Sequence, residues 1–94
     1  MSKLQEITKE AFQICYKKGE VAALEFLETK NLTTEEKKSL ETKIGAFDEK
    51  AQELTEWNAI AQQYAKSAEL HKVAHFNGLA VEAKKELKRM IEEA

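Results

Sequence analysis

Apolar residues recur at Leu4, Ile7, Ala11 and Ile14/Cys15, the three- and four-residue steps that line one face of a helix. Ser2 reads as an N-cap, and Lys17-Lys18-Gly19 reads as a stop, cations in the last turn followed by a residue free to turn left-handed. A short second helix follows, with Val21, Leu24 and Phe26/Leu27 on one side and Asn31 as a left-handed closing residue. Thr33 and Glu36 then form the pattern of a capping box. Beyond it, Leu40, Ile44, Phe47, Ala51, Leu54, Trp57/Asn58, Ala61, Tyr64/Ala65 and Ala68 alternate steps of four and three, a heptad-like seam across a long helix. Gly45 is a candidate kink in that helix, with Asp48 as a restart.

The phase shifts near residue 71. At 100° per residue Trp57, Ala61, Tyr64, Ala68 and His71 share one face, while Phe76, Ala80, Ala83, Leu87 and Met90 share another about 100° away. Leu70, Val73 and Ala74 lie on the far side from Trp57. A break between 66 and 78 accounts for this, most simply at Asn77-Gly78. The pattern therefore predicts one all-α domain over 1–94, a small bundle with one long central helix and helices near 3–18, 20–30, 34–70 and 78–93.

Composition agrees and adds exclusions. Forty of the 94 residues are apolar, 13 of them alanine, which suffices for one modest core. The absence of proline and the three glycines speak against a β-sandwich with many tight turns. Net charge is −2 with both signs spread along the chain, so no basic stripe is available for nucleic acid. No apolar run approaches the roughly 18–20 residues that span a bilayer, and Met1-Ser2-Lys3-Leu4 does not open a signal segment, so the expectation is a cytoplasmic protein without membrane insertion. Cys15 is the single cysteine and falls on the stripe of Leu4, Ile7 and Ala11, which suits a buried hydrophobe better than a reactive thiol.

Candidate chemistry is sparse. His71 and His75, four apart, project from one helix face and form a weak two-ligand metal pair, with Lys72 where a zincin carries glutamate. No glycine-rich loop cradles phosphate, since Gly19, Gly45 and Gly78 stand alone. Ser2, Ser39 and Ser67 lack the strained turn of a nucleophile elbow. Most carboxylates have a lysine three or four positions away, the pattern of solvated helix faces. The expectation is a protein that is not an enzyme and requires no cofactor.

The most informative stretch is charge-poor. From Trp57 to Val81 the charged residues are Lys66, Glu69 and Lys72, alongside the one Trp, both His, Tyr64 and Phe76. Aromatic enrichment with charge depletion marks either a core helix or an interface centre. Trp57-x2-Ile60-Ala61-x2-Tyr64 resembles the first-helix signature of a tetratricopeptide repeat, with alanine in the glycine position, over about eight residues. Downstream, Val73, Asn77 and Ala80 occupy positions where that family prefers Ala, Phe and Ala, so one of three fits, and a single partial repeat does not stack.

The sequence thus points to a non-catalytic protein–protein interaction module, an adaptor, inhibitor or immunity-type factor. Its partner-binding face would comprise Trp57, Ile60, Ala61, Tyr64, Ala68, His71 and His75. In general character it resembles bacteriocin immunity proteins and phage-encoded inhibitors, without a diagnostic motif of either. The alternative is a metal- or small-ligand-binding bundle using His71 and His75. A helix over 34–70 outruns the cover that 3–18 and 20–30 supply, so a twofold antiparallel homodimer is expected to bury the Trp57–His71 face.

Overall fold

The computed structural model describes residues 3–94, which form four helices and no strand: α1 (Lys3–Lys18), α2 (Glu20–Glu28), α3 (Thr34–Lys66) and α4 (Leu70–Glu93). The expected Ser2 cap lies outside the described residues. Gly19 separates α1 from α2 with φ 100° and ψ 171°, a backbone region that essentially glycine alone occupies. Its N–H donates to the Cys15 carbonyl at 2.9 Å, so the α1 end is satisfied as the chain turns.

The second helix stops two residues earlier than expected. Thr29, not Asn31, closes it: the Thr29 N–H and hydroxyl both donate to the Phe26 carbonyl, at 3.1 and 2.7 Å. Asn31 is not left-handed; among the described residues Ala68 is the one non-glycine with positive φ. The capping box at α3 forms as expected, with the Glu36 N–H donating to Thr33 Oγ1 at 3.1 Å and the Thr33 N–H donating to Glu36 Oε1 at 3.0 Å. From there α3 runs as one helix through Gly45 and Asp48, so the seam continues across the candidate kink.

The core sits where all four helices meet. Phe47, Leu40 and Ile44 of α3 are fully buried with Leu27 of α2 and Leu87 of α4, and Phe12 of α1 stacks on Phe47 with centroids 4.7 Å apart. Each such side chain stabilises the fold by roughly 1.5–3 kcal/mol, and the stacked pair adds about 0.5–1.5 kcal/mol. Met90, Ile91 and Ala94 bring the end of α4 against the same cluster. The α2 end is tied to the start of α3 by an ion pair between Glu28 and Lys37.

Two boundaries differ from the expected ones and shape the far end of the molecule. The long helix ends at Lys66 rather than near 70, and α4 starts at Leu70 rather than near 78, so Asn77-Gly78 lie inside α4. The 24-residue α4 consequently pairs with α3 along most of its length. Helices α1 and α2 flank only the first half of α3, up to the Cys15–Asp48 contact and the neighbourhood of Leu54. Past Leu54, α3 and α4 continue as a two-helix arm of about 18 Å. The radius of gyration is 15.9 Å and the longest extent 52 Å, against a radius of about 12 Å for a compact chain of this size.

Candidate functional site

The arm is joined by Ser67, Ala68 and Glu69. Ala68 takes φ 59°, the Glu69 N–H donates to the Tyr64 carbonyl at 3.1 Å, and the Ala68 N–H donates to the Ala65 carbonyl at 3.2 Å. These two bonds are the pair that defines a Schellman C-cap, here with alanine at the position glycine normally holds. Glu69 is pinned by Lys72 at 3.0 Å and by the Ser67 hydroxyl at 2.9 Å. The hydrogen bonds from Lys72 and Ser67, helped by the charges of Lys72 and His71, hold the Glu69 carboxyl below its ordinary range. The same bond to Glu69 raises Lys72.

Along one broad face of the arm the aromatic rings form a column. Phe76 of α4 lies between Trp57 and Tyr64 of α3, with centroids 5.8 and 5.4 Å away and planes inclined by 26° and 8°. His75 meets the edge of Phe76 at 5.1 Å, and Lys72 Nζ sits 5.0 Å over the Tyr64 ring. Trp57, Ile60 and Tyr64 are therefore half-buried inside one chain, and Ala61 is buried at the α3–α4 contact. The early start of α4 supplies this cover. The column continues toward the four-helix end as a groove of about 390 Å³ between Trp57, Leu79, Glu53, Glu82 and Glu86. Its acids are neutralised in pairs: Glu53 with Lys50 at 2.8 Å, Glu82 with Lys85 at 3.7 Å, and Glu86 with Arg89.

Ala68 and His71 do not join this face. The shared face read along a continuous helix ends at Lys66, so Ala68 becomes an exposed turn residue. His71 and His75 stand one turn apart on α4, both exposed. Among the described residues no group of three or more His, Cys, Asp or Glu side chains is arranged to hold a metal ion.

The opposite face, where the sequence places Leu70 and Ala74, carries three of the four exposed large apolar side chains among the described residues, Val21 of α2 being the fourth. Leu70 is 73% exposed, Val81 52% and Tyr16 46%. Leu70 and Val81 are eleven residues apart on α4, three turns and about 20°, and so lie on one side of it. Two adjoining grooves of about 280 and 220 Å³ share Tyr16 and Lys84 and continue through Val81 to Lys88 and Ile91. The spacing of Leu70, Ala74, Asn77 and Val81 was the available signal, a second stripe beside that of Phe76, Ala80, Ala83 and Leu87.

At the α1–α2 turn a third set of groups gathers. The Cys15 thiol contacts Asp48 Oδ1 at 3.8 Å, and the Glu20 carboxyl lies close enough to Asp48 to feel its charge. Burial first, then the charges of Asp48 and Glu20, push the Cys15 thiol up to about 11. Burial, followed by the neighbouring Asp48 carboxylate, raises the Glu20 carboxyl. A thiol so shifted is held in the protonated form, the opposite of what a nucleophile or thiolate ligand requires.

Among the described residues no helix is long and apolar enough to cross a membrane. No family model, curated protein or solved structure matches this chain.

Proposed function

We propose that this protein is a non-catalytic helical interaction module that engages other proteins through its two-helix arm, over residues 57–81. The observation carrying this reading is the arm itself. Past Leu54, α3 and α4 lack the flanking layer that α1 and α2 supply elsewhere, while keeping an aromatic column and a charge-poor surface. Two-helix layers with open faces bury them against further helices. The raised Cys15 thiol and the exposed, two-membered His71/His75 pair offer no convergent catalytic set. An adaptor, inhibitor or immunity-type role in the cytoplasm fits such a module.

The proposal includes self-pairing through the Trp57–Leu79 face. Its tip carries Lys66, Lys72 and Glu69, and its base Glu53, Glu82, Glu86 and Lys50. A twofold antiparallel pair lays the tip of one copy over the base of the other, so that each half-exposed Trp57 loses its remaining contact with water. Sedimentation equilibrium tests it. A dimer is expected at micromolar concentration, shifted to monomer in Trp57→Glu with helical content retained by circular dichroism. A wild-type mass staying at 10.7 kDa into the high micromolar range sinks the self-pairing.

A further inference from the structure

The groove on the other side of the arm has its own chemistry, independent of self-pairing. Its apolar floor is Tyr16, Leu54, Val81 and Ile91, with Lys84 and Lys88 along its rim. Both lysines are exposed, and among the described residues neither joins an ion pair, although Lys50, Lys72, Lys85 and Arg89 on the same two helices all do. Lys17 and Lys18 follow Tyr16 at the end of α1 and add positive charge at that end. The acids of the same part of α4, Glu82 and Glu86, line the opposite groove. In a chain of net charge −2, this face collects unpaired positive charge beside the exposed apolar side chains of Tyr16 and Val81.

We infer that this groove docks an acidic amphipathic helix of another protein, its apolar stripe on Tyr16, Val81 and Ile91 and its carboxylates on Lys84 and Lys88. The shape suits a helix. From Asn77 to Ile91 the lined channel runs about 21 Å, the length of a helix of about 14 residues, and anchors spaced one to three turns apart are what a helix in a groove presents. A small molecule would be poorly enclosed in so shallow a channel, because small-ligand sites bury most of the ligand surface. A second copy of this chain is a weaker match, since the carboxylates of its acidic groove are already held by Lys50, Lys85 and Arg89.

The test uses the full chain and a synthetic helical peptide of about 20 residues, with leucine along one stripe and glutamate on its flanks. An otherwise identical peptide with lysine flanks serves as comparator. In an amide ¹H–¹⁵N titration the glutamate peptide is expected to bind saturably and shift Tyr16, Val81, Lys84, Lys88 and Ile91 amides. Raising salt should weaken it, and Lys84→Glu/Lys88→Glu should weaken it about tenfold. Those lysines are exposed, so the double variant keeps the fold, checked by an unchanged thermal midpoint. Tyr16→Ala/Val81→Ala, leaving the lysines in place, should weaken binding to a similar degree. Equal binding of the lysine peptide, shifts confined to the Trp57–Leu79 side, or no saturable binding would each overturn the inference. None of these outcomes bears on the dimer mass in sedimentation.

Discussion

Replacing Ala68 with glycine should stabilise the protein, although Ala68 makes no core contact. At φ 59° the alanine Cβ crowds the following carbonyl, at a cost of roughly 1–2 kcal/mol that glycine does not bear. Against this, glycine has more freedom to lose from the unfolded chain, about 0.4–1 kcal/mol. The balance is a gain of about 0.5–1 kcal/mol, which for a domain of this size raises the thermal midpoint by about 3–6 °C. Ala68→Val should move the other way by at least 1 kcal/mol or so, because a β-branched side chain fits the left-handed region poorly. Thermal and urea melts followed by circular dichroism measure both, with the urea slope expected to stay constant. Ala68→Gly at or below the wild-type midpoint, with Ala68→Val neutral, would refute the reasoning. It would mean that the helix runs on through 68 and that Phe76 is not set between Trp57 and Tyr64 by this turn. The strain has a counterpart in the structure: two ring pairs at about 0.5–1.5 kcal/mol each offset what Ala68 costs.

The remaining predictions concern the glycines and the thiol. Gly19→Ala should destabilise by about 1–3 kcal/mol through its backbone alone, since an added Cβ meets nothing within 4 Å, whereas Gly78→Ala inside α4 should stabilise by about 0.5–1 kcal/mol; urea midpoints moving the same way for both would contradict this. For Cys15 the sign follows from a folded pKa of about 11 against the ordinary 9.0: below pH 9 the thiol is protonated in both states, and between 9 and 11 only the unfolded chain releases the proton. Wild type should therefore lose thermal stability across pH 9–11 faster than Cys15→Ala does, and parallel melting curves for the two would show that the thiol is not shifted.

Elements are legible in the chain where local chemistry and tertiary packing agree. Leu4, Ile7, Ala11 and Cys15 repeat at helical spacing, and three of them are buried with Leu4 packed alongside. Gly19 and the Thr33/Glu36 box mark element ends that need no distant partner. The arm turn misled for a physical reason. Asn77-Gly78 is a strong stop pair, yet it sits in the middle of α4, while the true stop at Ala68 carries no glycine. Local propensity there is worth about 1 kcal/mol, and a 24-residue helix packed along α3 outweighs it.

The candidate surface was harder to read because summed charge ignores angle. Residues 82–94 hold four charges of each sign, which reads as a neutral segment. On a helix, however, positions two apart point roughly 200° from one another. Glu82 and Glu86 therefore fall on the Trp57 side, and Lys84 and Lys88 on the Tyr16 side. The acids also have Lys85 and Arg89 three residues on, in the geometry that closes i,i+3 pairs, and Lys84 and Lys88 gain no such partners. Segregation of this kind appears only once the stripe facing α3 is known, because that stripe sets the zero of the angular count. The sequence locates it at Phe76, Ala80, Ala83 and Leu87, and extending the same count back to Leu70 would have placed Leu70, Val81, Lys84 and Lys88 together on one open side of the arm.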